Sequence, residues 1–118
     1  MIYDVVYTAE ARQDLRNIYE YIAYELLVPE IASGQVDRIM KAARSLEQMP
    51  MRYTRYEEEP WHSQGLRFLP VDNYLLFYLP DEVTSVVSII RIMYCINILI
   101  TEFFYHFWSE WFICKYII

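Results

Sequence analysis

Leu66-Arg67-Phe68-Leu69-Pro70-Val71-Asp72-Asn73-Tyr74-Leu75-Leu76-Phe77-Tyr78-Leu79-Pro80-Asp81-Glu82-Val83-Thr84-Ser85-Val86-Val87-Ser88-Ile89-Ile90-Arg91-Ile92-Met93-Tyr94 is the stretch that decides the fold. Three runs rich in β-branched and aromatic residues, 66–71, 74–79 and 83–94, are separated by Asp72-Asn73 and by Pro80-Asp81-Glu82. Such runs suit strands, and turn residues at these spacings reverse the chain, which predicts a β-meander. In the middle run Tyr74, Leu76 and Tyr78 alternate with Leu75, Phe77 and Leu79, so the two sets lie on opposite faces. The tyrosine-bearing face is expected to be the open one.

Upstream of the meander, residues 50–64 break periodicity and read as a loop carrying charge and aromatics. Before that loop, Ala32, Val36, Ile39, Met40, Ala43 and Leu46 form one apolar stripe, opened by Pro29 and ended before Pro50. A first stripe, Ala11, Leu15, Ile18, Ile22 and Leu26, follows Thr8, a residue suited to an N-cap. Residues 2–7 form a short β-type run. The expected order is β-α-α-β-β-β: an α+β fold with a helical hairpin packed on one face of a small, mostly antiparallel sheet.

The chain has 118 residues, 56% of them hydrophobic, with 2 glycines and a formal net charge of −6. Size suits one domain, composition excludes a disordered class, and the acidic balance excludes a sequence-wide pull towards nucleic acid or an anionic membrane. Cys95 and Cys114 are too few for a disulfide scaffold and lack zinc-site spacing, so free thiols are expected. Residues 1–7 do not resemble a secretory signal, from which a cytoplasmic location is expected.

Tyr56-Glu57-Glu58-Glu59-Pro60-Trp61, then Gly65 through Tyr74, then Ile89-Ile90-Arg91-Ile92-Met93-Tyr94, in this order and spacing, resemble the RelE/ParE family of type II toxin–antitoxin toxins. The resemblance covers residues 2–94 and implies the same element order. It also implies one of two activities: ribosome-dependent mRNA cleavage, as in RelE-like members, or inhibition of DNA gyrase without hydrolysis, as in ParE-like members. A cognate antitoxin is implied in either case, and no cofactor is.

Metal-free RNA cleavage needs cations for the crowded phosphorane and groups that move protons. Arg67 and Arg91, on two strands of the meander, are the candidate phosphate-binding cations, because a guanidinium holds two phosphate oxygens and stays charged. Each has a plainer reading: a solvated strand arginine for Arg67, an ion pair for Arg91. Glu58 or Glu59 resembles the loop carboxylate that some RNA-cleaving relatives use as a base, and Tyr94 matches a C-terminal acid or phosphate-orienting position. The plainer readings are a solvated loop and a core or edge aromatic. Strict alternation puts Arg91 and Tyr94 on opposite faces unless a bulge re-aims one. Glutamates 57 to 59 diverge and make no metal site, and His62 reads as an ordinary exposed side chain.

The family pattern stops at Tyr94. Residues 95–118 hold 8 of the 21 aromatic residues, and Glu102, His106, Ser109 and Glu110 at helical spacing would leave a narrow polar stripe on an apolar helix. The domain organisation expected is therefore 1–94, a RelE/ParE-like domain, and 95–118, an atypical hydrophobic tail. Its two glutamates disfavour a membrane anchor. The tail is read as the product of a shifted reading frame or as a helix docking on its own domain or on a second copy, giving a homodimer. The basic residues that RelE-like members carry after this strand are missing, so weak or no ribonuclease activity is expected, with the fold kept. The leading function is a RelE-like mRNA interferase by descent, expected to be weak or inactive as written. The alternatives are a ParE-like gyrase inhibitor and a non-catalytic interaction module.

Overall fold

The computed structural model describes residues 2–94. The expectations for residues 95–118, as frameshift product, docking helix or dimer element, lie outside the described residues. The chain runs through β1 (Asp4–Tyr7), α1 (Ala9–Glu20), α2 (Pro29–Arg44), β2 (Thr54–Arg55), α3 (Trp61–Gln64), β3 (Arg67–Val71), β4 (Tyr74–Asp81) and β5 (Val86–Tyr94). The five strands form one sheet in the order β1-β5-β4-β3-β2. β1 pairs parallel with β5 and all other pairings are antiparallel, so the α+β hairpin-on-sheet architecture holds.

Local chemistry explains the helix boundaries. Thr8 Oγ1 accepts the Ala11 N–H at 3.1 Å, the N-cap expected from sequence, and lies 3.0 Å from the Ile89 and Ile90 carbonyl oxygens. One hydroxyl therefore fastens the start of α1 to β5. Past Glu20 the helix widens over Tyr21–Glu25, where the Leu26 N–H reaches back to the Tyr21 carbonyl, and Leu27 turns the chain at φ 58°. This wide turn swings Leu26 into solvent, off the stripe that sequence periodicity gave it. α2 starts with Pro29 at its first position and buries Ala32, Ile39 and Ala43. Gln35 and Arg38 donate to Asp72 at 3.0 and 2.8 Å, tying α2 to the β3–β4 turn.

Two expectations are corrected. The last strand begins at Val86, not at 83: Asp81 Oδ1 accepts the Val83 N–H at 2.9 Å, Ser85 takes φ 57°, and this turn leaves Val83 94% exposed. The covered face of the sheet is also the reverse of the expected one. Tyr74, Leu76 and Tyr78 pack with Ala11, Ile39, Ala43 and Leu46 beneath the hairpin. Leu75 and Phe77 face the other way, under Tyr56 and Leu66, with Trp61 and Phe68 packed alongside. The 50–64 segment thus serves both faces: Met51 and Tyr53 pack on the hairpin side, while Tyr56 and Trp61 cover the other, with a two-residue edge strand and one helical turn within the segment.

Candidate functional site

The five candidate residues spread over the sheet. Arg67 opens β3 opposite Tyr78, and its Nη1 donates to the Tyr53 carbonyl at 2.8 Å. Arg91 lies on β5 opposite Phe77. Its Nε and Nη2 donate to the two Asp14 carboxylate oxygens at 2.6 and 2.8 Å, and the pair is about nine-tenths buried, with Arg91 at 9% and Asp14 at 8% exposure. Asp14 also accepts the Ile92 N–H at 2.9 Å, a group left without a strand partner because β1 stops at Tyr7, opposite Ile89.

A bulge does interrupt β5: Phe77 faces Arg91 and Tyr78 faces Ile89, leaving Ile90 extra. It places Ile90 and Arg91 together on the Phe77 side. From Arg91 onward alternation is regular, and Tyr94 returns to the hairpin side, where its ring meets Tyr74 at 5.4 Å between centroids. Arg91 and Tyr94 thus stay on opposite faces. Arg67 and Arg91 sit on strands separated by β4, about 10 Å apart at the backbone. Tyr74 and Tyr78, the partners of Tyr94 and Arg67, lie four residues apart on β4, roughly 13 Å.

Glu59 accepts from the Ser63 N–H and hydroxyl at 3.0 and 2.7 Å. Those bonds hold its carboxyl below the usual carboxylate range, away from the near-neutral value that suits a general base. The Glu58 carbonyl accepts the His62 N–H at 2.8 Å, closing the turn before α3. His62 Nδ1 lies 3.0 Å from the Tyr56 carbonyl oxygen, and Arg55 donates twice to the His62 carbonyl. The glutamate loop is thus braced on the β2 side of the sheet, with Arg91 two strands beyond Arg67 on the other.

Sequence reasoning missed a groove of about 440 Å³ at the end of α2, lined by Lys41, Arg44, Ser45, Glu47, Gln48 and Arg52. A second cleft of about 280 Å³ adjoins it, sharing Arg44 and Glu47 and reaching Tyr7. Burial raises the Tyr7 phenol and the Arg44 charge opposes that shift. Arg52 stacks 4.7 Å over the Tyr53 ring and donates to the Gln48 carbonyl at 2.7 Å, which orders the groove wall. The available signal was a run of cations, Arg38, Lys41, Arg44, Arg52 and Arg55, in a chain of net charge −6. Lys41 and Arg44 also suit the negative end of the α2 dipole.

Solved structures share this fold. A chain of the chromosomal ParDE toxin–antitoxin system of P. aeruginosa superposes with a TM-score of 0.67 at 23% identity, over 80% of this chain and 98% of that one. A chain of the RelBE2 complex of Mycobacterium tuberculosis gives 0.58 at 23% identity, over 80% and 92%. One from the RelE–RelB complex of Pyrococcus horikoshii OT3 gives 0.55 at 15%, over 80% and 96%. No curated protein matches the chain in sequence. The fold is thus that of small α+β chains found in toxin–antitoxin complexes. A family model described as the ParE toxin of the type II toxin–antitoxin system parDE matches residues 5–95, and the chain belongs to that family. The RelE/ParE resemblance is borne out, and among the described residues no helix is long and apolar enough to cross a membrane.

Proposed function

We propose that this chain is the toxin of an antitoxin-neutralised pair and acts by binding DNA gyrase, without cutting nucleic acid. One observation carries the reading: the bidentate engagement of Arg91 by Asp14. A guanidinium whose charge is already met by a buried carboxylate is a poor ligand for a phosphorane, because recruiting it would strand Asp14. The match to a ParE family model supports the same side of the family, and the ParDE and RelBE complexes support a cognate antitoxin as partner.

The second reading is ribosome-dependent mRNA cleavage. It is favoured by the groove of Lys41, Arg44 and Arg52 and by Arg67, which is half-buried and so partly available to a phosphate. In that reading Arg67 and Arg91 hold phosphate, Glu58 or Glu59 takes the 2′-hydroxyl proton, and Tyr94 orients the leaving group. A supercoiling assay with purified gyrase and no ribosomes tests the choice. Inhibition of supercoiling, or accumulation of cleaved DNA, is expected. Codon-dependent cutting on translating ribosomes, abolished by Arg67→Ala, with gyrase unaffected, would overturn it.

A further inference from the structure

β1 is an outer strand of the sheet. Its parallel pairing with β5 engages alternate residues: the Asp4 N–H donates to the Ser85 carbonyl at 2.9 Å and the Thr8 N–H to the Ile89 carbonyl at 3.1 Å. Tyr3, Val5 and Tyr7 therefore turn their backbone groups away from β5. Two contacts show that direction independently. The Tyr3 N–H donates to the Glu47 carbonyl at 2.8 Å, and Arg12 Nη2 donates to the Tyr7 carbonyl at 3.2 Å. These contacts close the two ends of the edge. Between them the Val5 N–H, the Val5 carbonyl and the Tyr7 N–H point outward and meet no hydrogen-bond partner among the described residues. The opposite edge offers less, because β2 is only two residues long.

The cleft of about 280 Å³ runs along this edge, with Asp4, Val5 and Tyr7 on one wall and Met40, Arg44 and Glu47 on the other. Past Arg44 and Glu47 it meets the larger groove, where Lys41 and Arg52 add charge. Lys41, Arg44 and Arg52 outnumber Asp4 and Glu47, a local excess of cations in a chain of net charge −6. We propose that the edge of β1 and this cleft receive an extended acidic peptide segment, added to the sheet as a further strand. Pairing with Val5 and Tyr7 supplies the backbone bonds, and the cations select for acid. An added strand lies about 4.8 Å from β1 and sends every second side chain to each face. Val5 and Tyr7 pack on the hairpin side, so the acidic side chains of the segment belong on that side, opposite Arg44 and Lys41. A second copy fits poorly, because pairing two β1 edges would bring two sets of the same cations together. The inference does not depend on which target the protein inhibits.

The test titrates the full chain with a short synthetic peptide of alternating glutamate and valine and follows amide hydrogen exchange residue by residue. At saturation the Val5 and Tyr7 amides should exchange about tenfold more slowly, while Asp4 and Val6, which already bond to β5, should change little. A peptide with lysine in place of glutamate should not bind. N-methylation of alternate peptide amides keeps the charge, removes the pairing, and should abolish the slowing. Lys41→Glu with Arg44→Glu should weaken the glutamate peptide by about tenfold. The peptide arms need no variant, so a misfolded double variant would not protect the proposal. Absence of binding, binding that leaves Val5 and Tyr7 unaltered, or equal slowing by the N-methylated peptide overturns it. Slow exchange at Val5 and Tyr7 in the free chain overturns it as well, assigning the edge to a second copy if dilution removes the slowing and to the chain itself if it does not. An oligouridylate that displaces the peptide and leaves both amides unprotected would assign the cleft to RNA, with the same consequence.

Discussion

Asp14 on α1 and Arg91 on β5, 77 residues apart, meet in a buried bidentate ion pair, and the same carboxylate closes the edge of β5 by accepting the Ile92 N–H. The pair sits where the parallel partner strand ends, so one side chain of the helix replaces the missing strand. Removing one partner of such a pair leaves an uncompensated buried charge, at a cost of about 3–5 kcal/mol. Asp14→Ala is expected to lose that much in urea unfolding. Asp14→Leu combined with Arg91→Met should recover a good part of the loss. A double variant no better than Asp14→Ala would mean that the Ile92 contact, and not the ion pair, dominates.

Thr8 performs two tasks with one hydroxyl, capping α1 and reaching the β5 carbonyls. Thr8→Val keeps the shape and removes both. A loss of about 1–2 kcal/mol in unfolding free energy is expected. Thr8→Ser should retain most of the stability, and a Ser variant as weak as Val would point to the methyl group as the important part.

Tyr78 is fully buried and its hydroxyl donates to the Pro50 carbonyl at 2.6 Å, while burial pushes its phenol well above the ordinary tyrosine value. Tyr7 and Tyr74 are raised for the same reason. A raised folded pKa favours the neutral form, so the stability is present below the unfolded value of about 10 and is lost as pH rises above it. Unfolding free energy should therefore fall with alkaline pH above about 10. Tyr78→Phe should flatten part of that slope and cost about 1–3 kcal/mol at neutral pH, because the Pro50 carbonyl loses its donor. An unchanged alkaline slope in the Phe variant would count against this assignment.

Charge reversal in the groove probes function without touching the core. Lys41→Glu and Arg44→Glu together should leave the chain folded, at a cost of about 0.5–2 kcal/mol in unfolding free energy, because both place acid at the negative end of the α2 dipole. They should slow association with an acidic partner surface and reduce the salt dependence of inhibition in the supercoiling assay. Full inhibition with unaltered salt dependence would exclude the groove from target binding.

The elements that local chemistry governs were legible in the sequence. Thr8 before an apolar stripe marked the start of α1, Pro29 opened α2, and Asp72-Asn73 divided β3 from β4. The loop at 50–64 was legible as a break in pattern, but not as a cover, since Tyr56 and Trp61 become core residues only once β3 and β4 are beneath them. The groove was missed because Lys41, Arg44 and Arg52 come from a helix end and a separate turn, whose approach no local pattern encodes.

By itself the sequence determined that residues 74–79 have two faces and that Arg91 needs water or a partner, because alternation and the cost of burying charge are properties of a few neighbouring residues. Which face the hairpin covers, and that Arg91 finds Asp14, were decided by the tertiary structure alone. Both depend on where α1 crosses the sheet, and that position is set by contacts between residues far apart in the chain, such as Thr8 with Ile89 and Tyr78 with Pro50.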